Sequence, residues 1–77
     1  MPDDLDPDAL EPLYEQLAEI LRREIDAGRI TSRLPSEVTL TQRYGVSRGT
    51  VRKAVEILVN DGYVRVSRGR GTFILRR

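Results

Sequence analysis

With 77 residues, 39% hydrophobic and 32% charged, the chain is sized for one small globular domain, and it contains neither cysteine nor histidine. Those absences exclude disulfides, thiolate metal sites, cysteine nucleophiles and the commonest general base, so no catalytic residue, metal or cofactor is expected. The formal net charge of +1 conceals a division: residues 1–26 hold nine acids against two bases, and residues 27–77 hold eleven bases against three acids. A segregated positive field of this kind suits a polyanionic partner.

Residues 1–11 contain two prolines and five acids and are expected to form a disordered acidic leader. The aspartates at 3, 4, 6 and 8 lack the glycine and distal glutamate of a calcium loop, so they read as a solvated tail. This acidic start is unlike the basic start of a signal peptide, and no apolar run approaches the roughly 18 residues of a membrane span. An intracellular, cytoplasmic protein is expected.

Pro12 fits a helix start. Leu13, Leu17, Ile20, Leu21 and Ile25 recur at helical spacing with Ala18 beside them, and Gly28 is a stop signal, which predicts a helix over 12–27. Leu34-Pro35 imposes an extended step. Ser36 is an N-cap candidate, with Thr39 where a capping box has glutamate, and a short helix over 36–44 follows, with Leu40 and Tyr44 on one side. Gly45 ends it and permits a left-handed turn. After the spacer Val46, Ser47 is a second N-cap candidate, and Val51, Ala54, Val55 and Leu58 predict a third helix over 48–60. Asn60-Asp61-Gly62 terminates it.

The remainder predicts a strand over 63–67, a turn at 68–71 and a strand over 72–75. One hairpin is marginal alone in water, so it must pack on the helices. The order is that of a winged helix-turn-helix. The fold class is α+β and mostly helical, with three helices and a C-terminal two-stranded β-hairpin wing, the domain running over 12–77.

The third helix presents Ser47, Arg48, Gly49, Thr50, Arg52 and Lys53, without an acid among them. Arginine reads guanine through two hydrogen bonds, while hydroxyls and a helix N-terminus suit phosphate. Gly49 weakens a helix by up to about 1 kcal/mol but allows a duplex close approach. At the wing, Arg68-Gly69-Arg70-Gly71 concentrates cations on an unobstructed turn, a shape for a minor groove or a phosphate edge. Ser36 and Arg43 on the second helix complete the candidate DNA-binding set. Tyr14, Tyr44, Tyr63 and Phe73 fall in register with core aliphatics and are expected to pack inside instead of stacking on bases.

Leu34-Pro35-Ser36-Glu37, then the run from Tyr44 to Arg52, then Gly69-Arg70-Gly71-Thr72-Phe73, closely resemble the GntR family of bacterial transcription regulators. The opening Pro12-Leu13-Tyr14-Glu15-Gln16-Leu17 is similar to the first helix of its HutC-like members. The resemblance covers residues 12–75. It implies a winged helix-turn-helix that binds a palindromic DNA operator as a homodimer in transcriptional regulation, with repression favoured. It also implies that Arg48, Thr50 and Arg52 meet the major groove and Gly69 the minor groove. Two departures stand out: Val38 occupies a position that is often arginine, and the stretch from Gly28 to Leu34 is shorter than usual and lacks the common Pro-Gly turn. The effector-binding and dimerising domain of such regulators does not follow within these residues, so the chain alone is expected to be a monomer or a weak dimer. The alternative is a protein-interaction module of winged-helix shape that docks a basic partner on its acidic first helix.

Overall fold

The computed structural model describes residues 5–75. Three helices, α1 (Leu13–Asp26), α2 (Glu37–Tyr44) and α3 (Arg48–Asn60), are followed by the strands β1 (Val64–Ser67) and β2 (Gly71–Ile74). Each helix lies within one residue of its predicted bounds, because the local signals operate as expected. Pro12 caps α1 from outside instead of forming its first residue, with φ −60° and ψ 156°. Ser36 and Ser47 each accept a hydrogen bond from the amide three residues on, at 3.1 Å in both cases, so α2 and α3 begin on the same hydroxyl cap. The turn between them needs Gly45, whose φ of 68° and ψ of 36° place it in the left-handed region that side-chain-bearing residues rarely adopt. At the ends of α1 and α3 the amides of Arg29 and Tyr63 reach back to the carbonyls of Glu24 and Leu58, both at 2.9 Å, closing the orphan carbonyls of each last turn.

The core is one cluster of buried side chains drawn from all three helices, the first connection and β1. Leu17, Ala18 and Leu21 come from α1, Leu34 from the first connection, Leu40 from α2, Val51, Ala54 and Leu58 from α3, and Val64 from β1. The predicted stripes supply most of it, while Leu13, Ile25 and Val55 are only half-buried at its margin. Arg22 adds a polar tie. It donates to Glu19 on its own helix and to Asp61 beyond α3. Partial burial pulls its guanidinium downward, and the bonds to Asp61 and Glu19 outweigh that, leaving the group above its ordinary value.

The wing differs from the expected hairpin in two respects. The strands pair antiparallel with Val64 opposite Ile74 and Ser67 opposite Gly71, so Gly71 opens β2 and the turn shortens to residues 68–70. A third extended segment also joins: the Leu34 amide donates to the Thr72 carbonyl and the Ile74 amide to the Ser32 carbonyl, each at 2.9 Å. Arg33 bridges Phe73 there. The extended step before Pro35 is thus a short strand partner, and β2 is bonded along both edges.

In the described part of the predicted leader, residues 5–11, most residues are exposed and Gln16 meets the backbone. Gln16 accepts from the Asp6 amide at 2.8 Å and donates to the carbonyls of Asp6 (2.9 Å) and Glu11 (2.8 Å), while Leu5 packs on the core. Composition alone pointed to a solvated tail, and the amide of Gln16 matches both hydrogen-bonding faces of the folded-back backbone. Residues 1–4, including Asp3 and Asp4, lie outside the described residues.

Candidate nucleic-acid interface

The buried stripe of α3 turns its opposite face outward. Ser47, Arg48, Gly49, Arg52 and Lys53 are exposed, and Thr50 is half-buried. The hydroxyls of Ser47 and Thr50 hydrogen-bond to each other at 3.1 Å. That fixes the first turn, whose leading amides point away from the helix as donors.

Gly49 is unusual for what surrounds it. It has no left-handed φ, and a Cβ built there would meet only Ser47 Oγ, at 3.8 Å, an ordinary contact. Nothing within the fold requires glycine at this point of a helix. Gly49→Ala is therefore expected to raise stability by up to about 1 kcal/mol in thermal melts while weakening duplex binding in fluorescence anisotropy. Unchanged binding would show that no duplex approaches there.

The exposed first turns of α3 are not as free of acids as residues 47–53 alone suggest. Glu37, the first residue of α2, accepts a hydrogen bond from Arg52 Nε at 2.8 Å and lies 3.7 Å from Arg48 Nε. Lys53 leans toward α1, with Nζ 5.2 Å from the centre of the Tyr14 ring. Ser36 stands exposed beside Glu37, whereas exposed Arg43 lies in the last turn of α2. Val38, where family members often carry arginine, is exposed.

At the wing tip Arg68, Gly69 and Arg70 are exposed, and Gly69 takes φ +75° with open space around it. Gly71 takes φ +124°, a conformation that side-chain-bearing residues rarely adopt, and it also lies close to Arg33. A Cβ there would come within 3.0 Å of Arg33 Cδ, so its missing side chain makes room for that arginine. Arg33 Nη1 donates to the Arg70 carbonyl at 3.1 Å, and the guanidinium sits 5.2 Å from the Phe73 ring centre. Arg33, like Glu37, is a functional candidate that the sequence did not show. The signal available was a lone cation before an extended Leu-Pro step, and nothing local ties that to a ring forty residues on.

The four aromatic residues are half-buried instead of fully internal. Tyr44 and Tyr63 pack on the core, whereas Tyr14 and Phe73 hold Lys53 and Arg33 on their faces. A single groove runs between α3 and the wing. Arg33, Arg52, Lys53 and Arg70 line it above an apolar floor that includes Val55 and Val59, with Glu37 and Glu56 as its acids. Helix and wing therefore present cations to one common space.

Three helices with a glycine turn, followed by a β-wing bearing arginines at its tip, define the winged helix-turn-helix class. The model of the bacterial regulatory proteins of the gntR family matches residues 13–74, and the chain belongs to that family. It is 46% identical over 65 residues to the uncharacterized HTH-type transcriptional regulator YurK of Bacillus subtilis, covering 82% of this chain and 27% of that protein. To the transcriptional repressor NagR of the same organism it is 42% identical over 65 residues, with the same coverage of 82% and 27%. The chain thus spans about a quarter of the length of these relatives. Among solved structures it is similar to YtrA of Sulfolobus acidocaldarius, a GntR-family transcription factor, with a TM-score of 0.86, 29% identity, and coverage of 96% of this chain and 80% of that one. It is also similar to the AraR DNA-binding domain in complex with operator ORE1, with a TM-score of 0.82, 37% identity, and coverage of 92% and 89%.

Proposed function

We propose that this chain is the operator-reading part of a bacterial transcription regulator, binding double-stranded DNA in a sequence-specific way and acting in repression. The first turn of α3, with Ser47, Arg48, Gly49, Thr50, Arg52 and Lys53, enters the major groove. Ser36 and Arg43 support it from α2 through phosphates. The wing tip, Arg68, Gly69, Arg70 and Gly71, follows the minor groove. The observation that carries this reading is the shared groove, lined by Arg52 and Lys53 of α3 and by Arg70 of the wing, beside the exposed first turn of α3. The operator complexes of the AraR domain and the repressor name of NagR support it by similarity. The start of α1 favours the HutC-like subgroup.

The reading unit is residues 12–77, and the greater length of the relatives supports a further effector-binding and dimerising region in the whole regulator. On that reading the operator is palindromic, the whole protein is a cytoplasmic, nucleoid-associated homodimer, and these residues alone bind one half-site weakly. The function resides in binding, without catalysis.

Selection from a pool of random duplexes tests this directly. The wild-type chain is expected to enrich one half-site motif, and recovery of sequences no different from the starting pool would refute specific reading. The same selection with Arg68→Ala and Arg70→Ala together is expected to keep the core motif and lose preference at its flanks. Titrations at several salt concentrations should show the slope of log affinity against log salt falling by up to about 2 for this double variant, if both cations neutralise phosphates.

A further inference from the structure

A carboxylate on a surface that faces phosphates opposes binding to every duplex, whatever its sequence. Glu37 is in that position, its two oxygens divided between Arg52 Nε at 2.8 Å and Arg48 Nε at 3.7 Å. The arginine side chains are 62% and 69% exposed and that of Glu37 only 30%, so the acid lies beneath and the guanidinium ends lie outermost. With Arg52 Nε bonded to the carboxylate and Arg48 Nε within ion-pair distance of it, neither pairing uses a terminal Nη donor, and those donors suit the paired acceptors of guanine. Arg48 and Arg52 are one turn apart on α3, and like charges at that spacing repel. The acid between them relieves that repulsion, bonding Arg52 directly and attracting Arg48. A side chain already restrained loses less rotamer freedom on contact than a free one.

We propose that Glu37 is a positioning residue for selectivity: it lowers affinity for all duplexes while holding Arg48 and Arg52 in the arrangement that reads base edges. The inference rests on the duplex-reading function proposed above and assigns discrimination to an acid that touches no base. Phosphate contact gains only the saved rotamer freedom, since an arginine can meet a phosphate from many directions. Base contact gains more, because its geometry is narrow.

The test compares wild type, Glu37→Gln and Glu37→Ala by fluorescence anisotropy on the duplex recovered by wild-type selection and on a scrambled duplex of equal length. Glu37→Ala is expected to bind the scrambled duplex about two- to fivefold more tightly and to lose about tenfold in the ratio of recovered to scrambled affinity. Glu37→Gln removes the charge but keeps an acceptor for Arg52 Nε, so it should show a similar gain on scrambled DNA and a smaller loss in the ratio. If both variants gain equally on both duplexes, Glu37 acts through charge alone and the inference is overturned.

A second readout needs no DNA. The Arg52 side-chain Nε–H resonance of the wild-type chain is expected to show restricted motion, and to shift and become mobile in Glu37→Ala. Free averaging in the wild type overturns the inference even if a variant fails to fold. A wild type without sequence preference would overturn the proposed function itself, whereas a preference kept intact by Glu37→Ala would overturn this inference alone.

Discussion

Truncating Leu58 to alanine is expected to cost about 2–5 kcal/mol of folding stability, read as a lower midpoint in thermal or denaturant unfolding. The side chain is fully buried and belongs to the cluster that joins α1, α2, α3 and β1. Its removal leaves a cavity bordered by three helices already fixed by their caps and turns, so the surroundings collapse poorly. A domain of this size has roughly 4–12 kcal/mol in total to lose, and little additional core to compensate. The variant is therefore expected to be substantially unfolded at physiological temperature and to lose DNA binding for that reason alone. A midpoint within a degree or two of wild type would mean that the helices do not depend on this contact.

Replacing Arg48 by alanine is expected to act in the opposite way, leaving the fold intact and damaging recognition. The side chain is 62% exposed, and its only ion-pair partner among the described residues is Glu37, at 3.7 Å. An exposed pair of that kind contributes at most about 1 kcal/mol. On the preferred duplex the loss is expected to be about 1–3 kcal/mol, roughly 5- to 150-fold in affinity, with relaxed preference at one position of the motif. Scrambled DNA should lose much less, because only a phosphate-like attraction is removed. Equal losses on both duplexes would make Arg48 a backbone contact, and no loss on either would place it outside the interface.

What the sequence made legible is the part that local chemistry decides. Ser36, Gly45 and Ser47 each act within four residues of themselves, so caps and turn could be placed before any tertiary contact was known. The apolar stripes of α1 and α3 are read from periodicity, and the positions they bury leave Arg48 and Arg52 outside by subtraction. The unread parts depend on distance along the chain. Arg33 finds Phe73 and the Arg70 carbonyl 37 or more residues away, and Glu37 finds Arg52 fifteen residues on. Neither pairing leaves a periodic or compositional trace. Gly71 illustrates the same limit: its φ of +124° suits a turn glycine that the sequence announces, whereas its close approach to Arg33 leaves no local trace. Gln16 was invisible for a different reason, since an acidic, proline-bearing stretch reads as solvated unless a single well-placed amide gathers it.

The two-sided bonding of β2 carries a mechanical consequence. The segment that flanks it, residues 32–34, runs without interruption into buried Leu34 and then into α2, whose glycine turn leads to the arginines of α3. The root of the wing and the path into α3 are therefore tied through one segment, which on the function proposed above limits how far the groove between them can open. On that reading a duplex whose grooves are too wide or too narrow would itself have to deform to fit, which would make stiffness of the DNA, as well as its letters, part of what this small domain measures.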